Sequence, residues 1–567
     1  MTSTSPALCC ALLALAAACT PAPDASAKRD APPGDEASSD GTSDDGGDGA
    51  DGGEDPVDSA DPEDSGDPPD GPWRSVLYPE DWAPGFGTPD LDIWDFSHAG
   101  YRGGADLPVI DATGAVSVLD HGADPTGTED ATAAIQAAID AVAETGGVVR
   151  IPEGIYKVDG ALRVSAHGTV LLGEGSGSSE LWFTGSPDHG ANLTFVGTPR
   201  ATLSAALHSD AARWDTTVTV DAADWAPGDE VWIGIEITDD WRNEHSMELY
   251  WTFSAGQWRP FFRRTLTDVQ TEGETQVLTL DVPLPYAIQV RDHARIERVD
   301  GYLHDVGIQG VGVSNATARD VAWAHSQVHA VAFDGVYDAF VQDLTSFAGP
   351  GGEDGMHLQS SGLLVRNSRQ VTVADSRLGF SQHRGEGGNG YLFEVRVSNH
   401  VLVRDSTAEA GRHNFVQNWD FGTSELVFLR THSIGGLAFT DEWDPSGVPA
   451  CSETHHALAI ALLVDSSTSD DCWKMVNRLV YSSGAGHTAT ESIFWNVGGT
   501  GGLSSLQYGR GGVIGTSPDT PVTTEVLDIY DSYRTAPEDW SEGLGLGATL
   551  DPPSLYEDQL ARRRAGE

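Results

Sequence analysis

Basic residues are scarce in this chain. Thirty-two Lys and Arg stand against 86 Asp and Glu, a formal net charge of −54. Only 17 of those acids and 2 of the bases precede Trp73, so the rest of the chain still carries −39. No basic stripe is present to neutralise phosphates, which excludes a nucleic-acid partner. Cysteine is scarce too. Three of the five, Cys9, Cys10 and Cys19, lie in the first 19 residues, leaving Cys451 and Cys472. A cysteine-built metal framework is thereby excluded. The two remaining thiols read as a disulfide in an exported protein. The rival reading is zinc, on the strength of His455 and His456, but no CxxC or HxxxH spacing supports it. Long apolar runs are absent: Ala7–Ala18 is too short to span a bilayer.

Residues 1–19 read as an export signal. Leu15-Ala16-Ala17-Ala18-Cys19 resembles a bacterial lipoprotein cleavage box, which makes Cys19 the lipidated residue and the protein an anchored one in the cell envelope, at the outer membrane or cell surface. Without the lipid, the same signal makes a secreted protein. Residues 20–72 are Asp, Gly, Ser and Pro with almost no large apolar side chain, and cannot build a core. Residues 73–115 form an aromatic lead-in, with Trp73, Trp82, Phe86, Trp94, Phe96 and Tyr101 expected to pack on the first rungs of a coil.

The segment 116–185 sets the fold. Asp130 is placed to cap a helix whose Ile135, Ile139 and Val142 make one apolar stripe, and Gly146-Gly147 end it. Short Val- and Ile-rich strands come next, split by Gly, Pro and Asp, as suits the coil of a parallel β-helix. The residues DHGADPTGTEDATAAIQAAIDAVAETGGVVRIPEGIYKV and TVLLGEGSGSS resemble the opening of the pectate-lyase superfamily. That resemblance implies an all-β, right-handed parallel β-helix with a helix plugging its N-terminal end. It does not choose a reaction, because the fold hosts lyases, glycoside hydrolases, epimerases, esterases and phage tailspikes. Residues 186–300 break the rhythm and read as an inserted antiparallel β subdomain, whose Trp and Arg either stack on sugars or fill its own core. The main coil resumes over 301–517, and 518–567 closes or hangs from its end.

The separation of Asp375 from Asp405 is 30 residues, about one turn of the coil. Asn367 and Asn399, also one turn apart, suggest an asparagine ladder at the turns. The separation of His383 from His413 is again 30. Equal offsets place His383, Arg384, Glu386, Arg412 and His413 on one exposed outer groove, as candidate catalytic residues: the arginines to neutralise a uronate carboxylate, a histidine to accept a proton, Glu386 to orient it. His357, Asn389, Tyr391, Asn414, Lys474, Arg478 and His487 are candidate substrate contacts. Asp441, Glu442 and Asp444 are oxygen ligands for a calcium ion, should one serve as neutraliser. The absence of a compact Asp pair leans the reading towards a polysaccharide lyase acting on an acidic, uronate-bearing glycan by β-elimination. A glycoside hydrolase on the same fold and a non-catalytic glycan-binding adhesin stay open.

Overall fold

The computed structural model describes residues 71–88, 91–187, 190–441, 447–525 and 538–566. The expected signal, Cys19 and nearly all of the linker lie outside the described residues. No helix among the described residues is long and apolar enough to cross a membrane.

Two long parallel sheets form the walls of a right-handed β-helix. One runs from Val116–Ser117 through Gly147–Ile151, Thr169–Gly173, Gly307–Ser314, Val336–Ser346, Arg369–Ala374 and Asn399–Arg404 to Trp540–Glu542. The other holds ten strands, from Leu162–Val164 to Val522–Thr523. Apolar residues stack rung on rung inside: Phe195 on Phe333 at 4.2 Å and Phe393 on Phe415 at 5.1 Å. At one corner Asp343, Asp375 and Asp405 take φ of +52°, +52° and +50°, the left-handed conformation that Asp tolerates better than most residues. The turn amides are satisfied by serine: Ser368 N donates to Ser398 Oγ at 3.0 Å and Ser376 N to Ser406 Oγ at 3.2 Å. The expected asparagine ladder is not what forms. Asn367 and Asn399 instead accept from Arg263.

The helix Thr132–Ala141 buries Ile135, Ala138 and Ile139 in the same cluster as the coil interior. Asp130 accepts from Thr132 N at 3.0 Å and from Asp159 N at 3.1 Å, tying the helix start to the next turn.

Six antiparallel strands, from Arg200–Ala206 to Arg295–Asp300, make a separate sheet. Gly190–Val196 stays in the coil, and Thr169–Gly173 pairs directly with Gly307–Ser314, so the excursion does not interrupt the stacking. A buried polar seam docks this sheet. Arg264 reaches Glu425 at 2.8 Å, His400 Nε2 lies 3.1 Å from the same carboxylate, and Arg369 pairs with Asp281. Trp241, Trp251, Phe261 and Phe421 pack against one another between the two bodies. Arg263 and Arg264 are thus committed to the coil and have no free face for a sugar.

The lead-in does not stay at the first rungs. Its rings spread along the coil, and the segment runs as a strap from the last rung to the first. Trp73 bridges Leu550, and Ser75 Oγ donates to Glu542 at 2.7 Å. Tyr78 packs on Trp495, Gly100 N donates to His400 O at 2.9 Å and Tyr101 N to Thr372 Oγ1 at 2.8 Å. Leu107 and Ile110 pack with Val170 and Phe340. The C-terminal helix Leu555–Gly566 lies against the strap. Gln559 accepts from Phe96 N at 2.9 Å and donates to Trp94 O at 2.8 Å.

Asp465 anchors that helix. Its Oδ2 accepts from Ser554 Oγ and Tyr556 N, both at 2.8 Å. Burial pushes its pKa up to about 7. A carboxyl raised on folding stabilises fully below its unfolded pKa of about 4, and that contribution is lost as pH rises through the folded value. Asp465→Asn, neutral throughout, is therefore expected to gain in melting temperature over the wild type as pH rises from about 4 to beyond 7. A difference that does not change with pH would defeat this assignment.

Candidate active site

The 30-residue offset holds over two pairs of strands: Arg369–Ala374 lies on Asn399–Arg404, and Arg377–Gly379 on Thr407–Glu409. It then fails. Eleven residues, 380–390, lead to the next strand in one rung, whereas three, 410–412, do so in the following one. His413 consequently pairs with Tyr391, at an offset of 22, and not with His383. The expected column of two histidines does not form.

His383 sits instead in the long loop, stacked on Trp323 at 4.1 Å. Its Nδ1 accepts from Gly385 N at 3.1 Å, so the neutral ring carries its proton on Nε2. Burial, assisted by Arg412, lowers its pKa to about 4. The lone pair is used by the backbone, which makes His383 a donor and removes it as a base. Arg384 is buried over the Phe439 ring at 4.7 Å and donates to Ser381 O, a packing role in place of the catalytic one expected. Glu386 is exposed, and its carbonyl accepts from Asn389 Nδ2 at 2.6 Å. Asn389 also accepts from Gln327 N and Ser360 Oγ, so it braces the loop from within. At Gly390, φ is +77° and an added Cβ would lie 2.8 Å from Arg412 Cβ; here only glycine serves.

The groups that do converge are Tyr391, His413, Glu453, His455 and Arg478. They lie at neighbouring positions of the ten-stranded sheet, on Tyr391–Arg396, His413–Asn418, Ser452–Thr454 and just beyond. His413 donates Nδ1–H to Cys451 O at 2.7 Å, the opposite tautomer to His383, and its Nε2 lies 3.3 Å from Glu453 Oε1. His455 Nδ1 contacts the same oxygen, and its Nε2 lies 3.3 Å from Tyr391 Oη and 3.2 Å from Ser482 Oγ. Arg478 binds the second Glu453 oxygen and Ser482. Burial alone would raise Glu453. The facing imidazoles and the Arg478 guanidinium outweigh it and hold the carboxyl well below its usual range. Glu394, on the same face, is likewise held low against burial by Arg396 and His329. Burial lowers His413 to about 3 and lifts Tyr391 well above its ordinary value. Tyr391, His413, Glu453 and His455 are buried and Arg478 is half-buried; of the groove expected to be exposed, His383, Arg384 and His413 are buried.

Arg412 connects loop and cluster. Half-buried, it donates from Nη1 to Gly385 O at 2.6 Å and acts electrostatically on His383, His413 and His455. Lys474 pairs by backbone with Glu453, is half-buried, and has no ion pair among the described residues. It is one of three lysines in the chain.

Three expected contacts lie elsewhere. His357 bonds Ser346 Oγ at 3.1 Å and packs at a tilt against Phe380. Asn414 is buried and spends its amide on Gly411 N, Ser433 and Asp471, as a structural bond. His487 faces the inserted sheet, with its backbone N–H on Met247 Sδ and its ring beside Tyr508. Asp441 is exposed, while Glu442 and Asp444 lie outside the described residues. Glu453 was not singled out by the sequence, and His455 only as a zinc alternative. Cys451 and Cys472 are joined, with Cα atoms 4.5 Å apart, so the disulfide reading holds and the tie sits two residues before Glu453. The usable signal was the alternation Cys451-x-Glu453-x-His455, which brings every second residue of an extended segment to one face.

Coil, inserted sheet and cluster together define a β-helix protein with a polar site on the outside of one wall. Residues 115–204 match the family model described as Rhamnogalacturonase A/epimerase, pectate lyase-like, which bears out the resemblance read from the opening of the coil. The chain is similar in structure to the tailspike gp61 of Pseudomonas phage phi297, at 12% identity over 72% of this chain and 66% of that one, TM-score 0.44. It is also similar to the tailspike gp49 of Pseudomonas phage LKA1 (14%, 75% and 78%, TM-score 0.36). A third similar structure is PfbA, a surface adhesin of Streptococcus pneumoniae (13%, 76% and 92%, TM-score 0.32). No curated protein sequence matches it.

Proposed function

We propose that the protein acts on a uronate-bearing glycan, by β-elimination, at the outer face around Arg412, Tyr391 and Lys474. The observation that carries this reading is the half-buried Arg412 guanidinium acting on the Tyr391 phenol, which burial keeps protonated. Arg412 and Lys474 neutralise the carboxylate, which acidifies the adjacent C–H. Tyr391 donates to the leaving oxygen and is reprotonated across its contact with His455. The proton acceptor belongs to the same Tyr391–His413–Glu453–His455 cluster. Hydrolysis needs one protonated carboxyl beside an ionised one. Glu394 and Glu453 are both held ionised, which favours elimination.

A panel of purified polysaccharides tests this. Ultraviolet absorbance from an unsaturated uronate is the expected signal. New reducing ends without that absorbance would replace elimination by hydrolysis, and binding with neither would leave a glycan-binding coil. Anchoring at Cys19 is part of the same proposal: Cys19→Ser is expected to move the protein from the membrane to the soluble fraction. A wild type already soluble ends that part.

A further inference from the structure

The contact between His413 and Glu453 lacks a partner. With Nδ1–H given to Cys451 O, the neutral ring presents a lone pair at Nε2. That atom is buried without a hydrogen bond, and it faces Glu453 Oε1 at 3.3 Å. Two acceptors so placed repel one another unless a cation lies between them. His455 brings a third donor, and one ligand atom from each residue falls within 4.8 Å of the others.

We propose that His413, Glu453 and His455 hold a divalent transition-metal ion, zinc by the character of its donors. Bonds of about 2.0–2.1 Å in a tetrahedron put neighbouring donors roughly 3.3 Å apart. The His413–Glu453 spacing matches that edge, whereas His455 Nδ1, in direct contact with Glu453 Oε1, has to draw back from that oxygen to take its place. Two imidazoles and one carboxylate make a three-ligand set with a fourth position open. Each ligand also has an outer partner that orients it. The Cys451 carbonyl fixes the His413 tautomer, and the disulfide fixes Cys451. Arg478 holds the distal oxygen of Glu453. With Nδ1 on the metal, His455 turns Nε2–H towards Tyr391 Oη and Ser482 Oγ. Calcium does not suit this set, since it takes six to eight oxygens. The Arg478 and Arg412 guanidiniums oppose added positive charge, so affinity falls below that of the same ligands without them.

The test is a zinc titration of metal-free protein against a chromophoric chelator, with a thermal melt and the visible spectrum of the cobalt(II) form. One tight equivalent of zinc is expected, with a rise in melting temperature and the intense visible bands of tetrahedral cobalt. His413→Ala and His455→Ala each lose that equivalent. His208→Ala, at an exposed His208–Asp221 pair on the inserted sheet, keeps it. Should the alanine variants not fold, Glu453→Gln and the wild-type cobalt spectrum decide. No binding to the wild type, an equivalent retained in the ligand variants, or an octahedral cobalt spectrum overturns the site. No glycan enters these measurements. A protein that binds zinc but cleaves no glycan keeps this site and loses the lyase reading, and the reverse outcome is as easily told apart.

Discussion

Arg412→Ala is expected to lose at least about 100-fold in turnover on a uronate glycan, the scale seen when one donor to a developing anion is removed. Its melting temperature should barely move, because the side chain is half-buried and makes one hydrogen bond, to Gly385 O. Lys474→Ala belongs to the same experiment and should raise KM more than it lowers kcat, as a contact made alike in ground and transition states does. His413→Ala differs. That ring is buried between Cys451, Glu453 and Tyr391, so activity and stability should fall together. Full turnover in the Arg412→Ala, Lys474→Ala double variant would remove this face from consideration.

Arg264→Met is expected to destabilise the docking of the inserted sheet by about 3 kcal/mol, because the buried Glu425 loses its guanidinium partner and keeps only His400 and Ser424. Arg264 and Glu425 are 0% and 1% exposed, and Arg264 also donates to Val282 O and Pro283 O. Rapid proteolysis within residues 200–300, at a denaturant concentration the wild type tolerates, is the measurement. Adding Glu425→Gln should recover much of the loss, since it removes the stranded charge. A single variant as resistant as the wild type would show that the aromatic packing alone holds the sheet.

The fold could be read from residues 116–185 because its signals are local: a capped amphipathic helix, then short β-branched strands between turn residues. Register is harder. The offset between paired strands is 30 where Val371 meets Val401, 22 where Tyr391 meets His413, 37 where Val416 meets Glu453 and 21 where Glu453 meets Lys474. Each loop sets its own value, so a spacing measured at one wall does not carry across a turn. That is why His383 and His413 part company, and why Glu453, far along the chain, gave no sign of standing beside His413. The positive charge of the inserted strands suggested ligand contacts, yet Arg263 and Arg264 meet buried groups of the coil that lie more than a hundred residues away in sequence. The aromatic lead-in carried no sign of direction at all.

That direction has a mechanical meaning. The strap joins the body at its far end: Trp73 is laid parallel on Leu550, and Ser75 and Val76 bond to Glu542 of the final strand. A pull on the chain ahead of Trp73 is therefore delivered first to the last rung, and the strap must be peeled rung by rung before the load reaches the opening helix.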